Sequence, residues 1–369
     1  MNLINNFFSV GVDGCNAYLV QGAKSALIDG VHAEFTDEYI SNIERIIPVT
    51  DIEYIVLNHT GPENSGSVDK ILELNRNIKV VGTIAAVKNL KEITNKSFNE
   101  HIAKDGAELD LGNGNILKFI ITPNLPWPDT MMTYLDGDKI LFSCNAFSSV
   151  NGAVTDEKLE EDEFRNLLKI VYDDVISPFK PFMLKTTEKL LSRDIHMICP
   201  GKGMILKKYA SEAIKSYNAW SIPILRDRKK VIMFYVSDYG NTASMAAVIE
   251  KTLTDCGVDV KSINAKTDKL PKTVTDADAL IFGTSTINRN AAGEIWEAVS
   301  KIDLINMKNK PCFVFGSYGW GGEGLQILYN HMKLLKLKVF EKPFGCFFKP
   351  SEKDKKELMD YTKKFAESI

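Results

Sequence analysis

VIMFYVSDYGNTASMA, Val231–Ala246, decides the reading of the C-terminal part of this chain: an apolar strand runs into a hydroxyl- and amide-rich loop that opens a helix. A helix N-terminus leaves its first amides unpaired and carries partial positive charge, so an anion placed there needs no Lys or Arg. Ser237, Asn241 and Thr242 can add side-chain donors. The loop is neither GxGxxG nor GxxxxGK[ST], and a monophosphate suits it better than a dinucleotide or a nucleoside triphosphate. Taken alone, the junction reads equally well as an ordinary capped helix.

Two further loops decide between these readings. ALIFGTSTINRN, Ala279–Asn290, and PCFVFGSYGWGGEG, Pro311–Gly324, each repeat the apolar strand that ends in small and hydroxyl residues. In an open parallel sheet, ligands sit outside the carboxyl ends of the strands at the topological switch point, so all three loops are predicted to meet at one edge. Tyr318 and Trp320 stand among Gly316, Gly319, Gly321 and Gly322, which suits a flat aromatic ligand: rings to stack on, glycines for close backbone approach. A phosphate joined to a planar ring system predicts flavin mononucleotide, FMN. The three loops, in this order, resemble the flavodoxin family.

The 369 residues, 44% hydrophobic and 25% charged, suit two globular domains. No run approaches the ~20 apolar residues needed to cross a bilayer, and MNLINNFFSVGVDG lacks the pattern of a signal peptide. A cytoplasmic location with no membrane association is expected. Cys15, Cys144, Cys199, Cys256, Cys312 and Cys346 form no CxxC pair, which argues against a disulfide framework or an iron–sulfur site and predicts small buried thiols. Residues 1–229 carry 25 basic and 31 acidic residues, and 230–369 carry 20 and 17, a distribution that solvated faces explain. The C-terminal lysines alternate with acids on a predicted amphipathic helix, so nucleic acid is not an expected partner.

SIPILRDRKK, Ser221–Lys230, reads as a polar connector, with a boundary near Arg228 and domains at 1–228 and 229–369. Upstream, strand-like pieces dominate residues 5–30, and helices and strands then alternate. Gly137 marks a hairpin turn, and a long helical run spans Leu159–Ser192. Two sheets sandwiched between helices are predicted.

LNHTGPENSGS (Leu57–Ser67), PNLPWPDTMMTYLDGDKILFSCNAF (Pro123–Phe147) and ICPGKG (Ile198–Gly203) resemble the metallo-β-lactamase-like domain of the flavodiiron proteins, and with the flavodoxin-like part the resemblance covers nearly the whole chain. It implies an α/β architecture: an N-terminal αββα metallo-β-lactamase-like sandwich, then a flavodoxin-like doubly wound parallel sheet. In the family these phrases hold the His, Glu and Asp ligands of two irons that reduce oxygen or nitric oxide. Here His59 survives and Glu63 can stand for an aspartate, whereas Pro126, Asn145 and Lys202 occupy three other ligand positions. Two donors beside a cation cannot hold a pair of divalent ions, so the diiron centre is expected to be absent and Lys202 to pair with Glu63, near His59 and Asn145. His32, His101, His196 and His331 stand apart from these phrases and read as surface or structural residues.

The resemblance assigns Ser237, Tyr239, Gly240, Asn241 and Thr242 to the flavin phosphate. Thr284, Ser285, Thr286, Ile287 and Asn288 fall to the ring and ribityl chain, and Ser317, Tyr318, Gly319, Trp320 and Gly322 to the other side. Asp238 and Ser285 depart from the family pattern, and the Asp238 carboxylate is expected to point to solvent, away from the phosphate. Implied partners are an electron donor such as rubredoxin or a flavin reductase and a second copy in a head-to-tail dimer. The function expected is electron transfer through FMN. Alternatives are an oxygen or nitric oxide reductase with a rebuilt metal site, and a non-catalytic subunit that regulates an active homologue; a zinc hydrolase is disfavoured because the histidine cluster is missing.

Overall fold

The structure, a computed structural model, describes residues 2–4, 7–12, 14–150, 155–223 and 225–369. The first residues of the strand-like stretch at 5–30, its Asp13, and Ile224 of the connector lie outside the described residues. The chain divides into two compact units, Met1–Pro223 and Ile224–Ile369.

The first unit holds a seven-stranded and a five-stranded sheet. The seven-stranded sheet begins with antiparallel neighbours, among them Tyr18–Gln21 and Ser25–Ile28, and continues in parallel through Tyr54–Val56, Lys79–Gly82 and Asn99–Ile102. The five-stranded sheet runs Met197–Pro200, Ile140–Cys144, Met131–Leu135, Ile116–Ile121, Glu108–Asp110. Gly137 lies in the turn that joins the antiparallel pair Met131–Leu135 and Ile140–Cys144, as its sequence predicts.

Three apolar layers explain the stacking. Phe7, Tyr18, Phe119 and Phe142 fill the space between the sheets. Val49, Ile55, Ile71 and Leu90 bury the outer face of the first sheet, and Phe164, Leu168, Met183, Leu190 and Tyr217 that of the second. The order is helix, sheet, sheet, helix. The predicted helical run at 159–192 is two helices, Glu161–Val171 and Lys180–Leu191, separated by a π turn at Tyr172–Ile176 and a 3₁₀ turn at Ser177–Phe179. Pro178 lacks the N–H that a continuous helix needs there.

The second unit is one parallel sheet in the order Asp259–Asn264, Lys230–Tyr235, Ala279–Gly283, Pro311–Tyr318, Lys338–Val339. Phe344–Phe347 pairs with the far half of Pro311–Tyr318. Both faces are covered: Met245, Ile249, Leu358 and Phe365 pack on one, Ile295, Leu325, Leu328 and Met332 on the other. That two-sided burial is why VIMFY and ALIF read as unbroken apolar runs rather than as alternating strands. Phe234 stacks on Phe282 with ring centroids 6.0 Å apart. Truncating either buried ring to Ala removes about 3–5 kcal/mol. The final helix, Glu352–Glu367, starts from a capping box in which Ser351 and Asp354 satisfy each other's amides.

Of the six cysteines, five are buried and Cys256 is exposed. It follows Asp255, the last residue of the helix Asn241–Asp255, where the chain leaves the core before a left-handed turn at Gly257. The buried-thiol expectation therefore fails at that position. Among the described residues, no helix is long and apolar enough to cross a membrane.

Candidate functional site

Strand order in the second unit reverses at Lys230–Tyr235, whose neighbours are Asp259–Asn264 on one side and Ala279–Gly283 on the other. Loops leaving the carboxyl ends of three strands meet there around a cavity of about 860 Å³, a volume in the range of small-molecule sites. The first loop enters the helix Asn241–Asp255 through Gly240, whose φ of +80° is left-handed and tolerated because the residue has no Cβ. Gly240, at the cap position, has no side chain to offer the first amides of that helix. Ser237 Oγ accepts a hydrogen bond from the Ala243 amide at 3.1 Å, so its own proton remains available to a ligand. Ser237, Tyr239, Asn241 and Thr242 line the cavity, and Gly240 shapes the loop behind them.

The second loop forms a two-residue hairpin, Thr286–Ile287 against Asn290–Ala291, turned by Asn288 and Arg289 at positive φ of 48° and 59°. Ser285, Thr286, Ile287 and Asn288 face the cavity. Thr284 is fully buried instead: its hydroxyl donates to the Ser285 carbonyl (2.8 Å) and accepts from the Ala292 amide (3.0 Å), stitching the loop to the following helix. In the third loop Ser317, Tyr318, Gly319 and Trp320 line the cavity. Gly322 sits beneath the Tyr318 ring, where a Cβ would lie 3.1 Å from Cε1. Trp320 and Tyr239 are 97% and 93% exposed, a cost in bare apolar surface that a ring-shaped ligand between the loops would recover.

The expectation that Asp238 points to solvent is not met. Its carboxylate accepts from Lys266 Nζ (2.6 Å) on one oxygen and from Ser285 Oγ (2.6 Å) on the other. Those two hydrogen bonds hold its carboxyl below the usual carboxylate range, and the same carboxylate raises Lys266. An isolated acid would have repelled a phosphate, but this one is neutralised in place. The two departures from the family pattern, Asp238 and Ser285, are thus bonded to each other.

In the first unit the three phrases converge at the carboxyl ends of strands. Asn145 and Lys202 follow the adjoining parallel strands Ile140–Cys144 and Met197–Pro200, joined beyond the ladder by Gly201 N–H to the Cys144 carbonyl at 2.6 Å. Lys202 Nζ lies 3.5 Å from Glu63 Oε1, the ion pair predicted from sequence; the lysine is 45% exposed and reaches in from the surface. Burial pushes the Glu63 carboxyl up, but its own amide, Lys202 and His59 outweigh that and leave it below its ordinary value. His59 is buried, with Nδ1 3.0 Å from Asp129 Oδ1 and the ring edge-on to Trp127 at 4.9 Å. A methyl group on Gly61 would lie 2.6 Å from His59 Nε2 and 2.7 Å from Glu63 Oε2, so both atoms face one gap that only glycine leaves open. Among the described residues, no group of three or more His, Cys, Asp or Glu is placed to share a metal ion.

Residues 14–203 match the family described as ODP family beta lactamase, and residues 233–361 match flavodoxin. The Flavo-diiron protein FprA2 of Clostridium acetobutylicum is 38% identical over 96% of this chain and 91% of its own length. This chain belongs to the flavodiiron protein family. An anaerobic nitric oxide reductase flavorubredoxin of Klebsiella pneumoniae is 30% identical over 86% of this chain and 68% of its own. Among solved flavodiiron folds, the rubredoxin oxygen:oxidoreductase of Desulfovibrio gigas superposes over 100% of this chain and 98% of its own with a TM-score of 0.67 at 24% identity. A Thermotoga maritima flavoprotein covers 96% and 89% with a TM-score of 0.63 at 26% identity.

Within this flavodiiron chain, sequence reading passes over Asp129 and Lys266. Asp129 sits in PWPDT and is fully buried, accepting from His59, from the Thr60 amide (2.8 Å) and from the Thr60 hydroxyl (2.6 Å). Burial raises its carboxyl, and these donors more than reverse the effect. Its one sequence signal is an acid two residues beyond a proline-flanked Trp, opening an apolar strand. Lys266, in the loop after the edge strand, lines the cavity from a stretch that reads as ordinary solvated charge.

Proposed function

We propose that this flavodiiron chain is an FMN-binding electron-transfer protein that works without a diiron centre and passes electrons to a partner or a small acceptor. The observation that carries the reading is the cavity at the switch point, with a glycine-capped helix N-terminus at one end and a glycine-set Tyr and Trp at the other. The chemistry of this donor set fits FMN. Ser237, Asn241 and Thr242, with the amides around Tyr239 and Gly240, would hold the phosphate; Ser285 to Asn288, on a loop that Thr284 anchors from behind, would flank the ring and ribityl chain; and Ser317, Tyr318, Gly319 and Trp320, with Gly322 beneath the Tyr318 ring, would cover the other side. Bound flavin supplies the capacity to accept two electrons and release them singly.

The metal-free half rests on the donors themselves. Pro126 and Lys202 cannot ligate a divalent ion, Asn145 is a weak neutral donor, and Lys202 already spends its charge on Glu63. An electron donor such as rubredoxin or a flavin reductase, a head-to-tail homodimer and a cytoplasmic location complete the proposal. The convergence of His59 Nε2 and Glu63 Oε2 over Gly61 favours one second reading, a mononuclear site that still reduces oxygen or nitric oxide. Visible absorption with FMN and iron quantified on the same purified sample separates the two. Stoichiometric flavin without iron supports the first; about one iron per chain with oxygen consumption supports the second, and a colourless protein that takes up no FMN refutes both.

A further inference from the structure

Three segments that are remote in sequence close on one carboxylate. Asp238 in the first cavity loop takes Lys266 Nζ, from the loop after the edge strand Asp259–Asn264, on Oδ1, and Ser285 Oγ, from the second loop, on Oδ2. All three residues line the cavity proposed for FMN, and the Asp238 side chain is only 18% exposed.

A carboxylate at the mouth of a phosphate loop is a specificity problem. Left unpaired, it would set a full negative charge in the cavity that is to take an anionic group and disfavour the phosphorylated ligand by about tenfold or more. Paired at 2.6 Å, it contributes a dipole in place of a charge. The ammonium stem of Lys266 is 47% exposed and free to adjust, whereas the carboxylate is fixed on both oxygens. The tie to Ser285 also holds the first loop against the second before any ligand arrives, which lowers the ordering cost of binding.

We infer that Lys266 is a specificity-determining residue of the flavin site: by neutralising Asp238 it makes the first loop accept a phosphorylated flavin in preference to riboflavin, while Asp238 acts as a positioning residue between the loops. This rests on the flavin reading above. Because riboflavin shares the ring and ribityl chain and lacks only the phosphate, the ratio of the two affinities isolates the effect from folding.

The test titrates the flavin-stripped full chain with FMN and with riboflavin, following quenching of flavin fluorescence. Lys266→Gln is expected to weaken FMN by about tenfold while riboflavin changes less than about twofold, since no phosphate meets the exposed carboxylate. Adding Asp238→Asn to that variant removes the charge and is expected to return FMN affinity to within about threefold of the native chain. Equal weakening of both flavins by Lys266→Gln, or a double variant as weak as the single one, overturns the inference and leaves the flavin reading standing. A native chain that binds neither flavin overturns that reading and this inference with it.

Discussion

Replacing Asp129 by Ala removes the acceptor of three hydrogen bonds at a fully buried position, from His59 Nδ1 at 3.0 Å, the Thr60 amide at 2.8 Å and the Thr60 hydroxyl at 2.6 Å. The Thr60 hydroxyl keeps the bond it accepts from Asn89 at 3.2 Å and can rotate its freed proton about the C–O bond. The His59 ring and the Thr60 amide cannot, and each buried donor left alone costs about 1–3 kcal/mol. Because the partner was charged, the total is about 3–5 kcal/mol, the usual cost of breaking a buried pair from one side. Asp129→Asn keeps one acceptor oxygen and turns an NH₂ toward the other donor, for about 1–3 kcal/mol. The assay is hydrogen exchange with mass spectrometry on the full chain, because a chain of two units need not unfold in one step and a single denaturation midpoint would blur them. Amides of the buried strand Tyr54–Val56, next to this site, should exchange about two to three and a half powers of ten faster in Asp129→Ala. The exposed control Glu92→Ala should leave them unchanged, within about 0.5 kcal/mol. An acceleration below about tenfold in Asp129→Ala would mean that water or another group satisfies His59 and Thr60, and the account of a closed His59–Asp129 site would be wrong.

Trp320→Ala should weaken FMN binding by about 0.5–1.5 kcal/mol, read by flavin fluorescence, since one stacking ring is lost from the cavity. Gly316→Ala should fail to accumulate as a folded second unit or lose flavin altogether, because its Cβ would fall 1.9 Å from the Thr284 carbonyl oxygen; circular dichroism and flavin content check it. Asp238 has a carboxyl lowered from 3.8 in the folded chain, so the stability it contributes through Lys266 and Ser285 is fully present above that value and is lost as pH falls below it. Thermal unfolding of the flavin-stripped chain should therefore show a smaller loss between pH 5 and pH 3 in Asp238→Asn than in the native protein. Asn145→Asp combined with Lys202→His restores two donors beside His59 and Glu63 and should raise the iron retained per chain, measured by metal analysis.

The flavin loops are legible because each ends a strand buried on both faces, and an unbroken apolar run that stops in small hydroxyl residues marks both such a strand and its end. The three phrases of the first unit are legible position by position, and Lys202 and Glu63 do meet. What stays hidden depends on contacts that span the fold. Asp129 lies 70 residues from His59 in sequence, and an acid in a proline-rich loop is exposed far more often than buried. Asp238 looks like a liability in the sequence because its neutralising partner comes from 28 residues downstream, in a lysine-bearing loop with no pattern of its own. The helical run at 159–192 looks continuous because apolar periodicity carries through Pro178, although the backbone cannot.

The first unit separates the backbone that builds its site from the side chains that fill it. Positions 145 and 202 hang from neighbouring strands held together by main-chain atoms, including the bond from Gly201 to Cys144, so the course of the strands does not depend on the side chains there. The framework then behaves as a socket whose side chains can be exchanged while the backbone around them keeps its course.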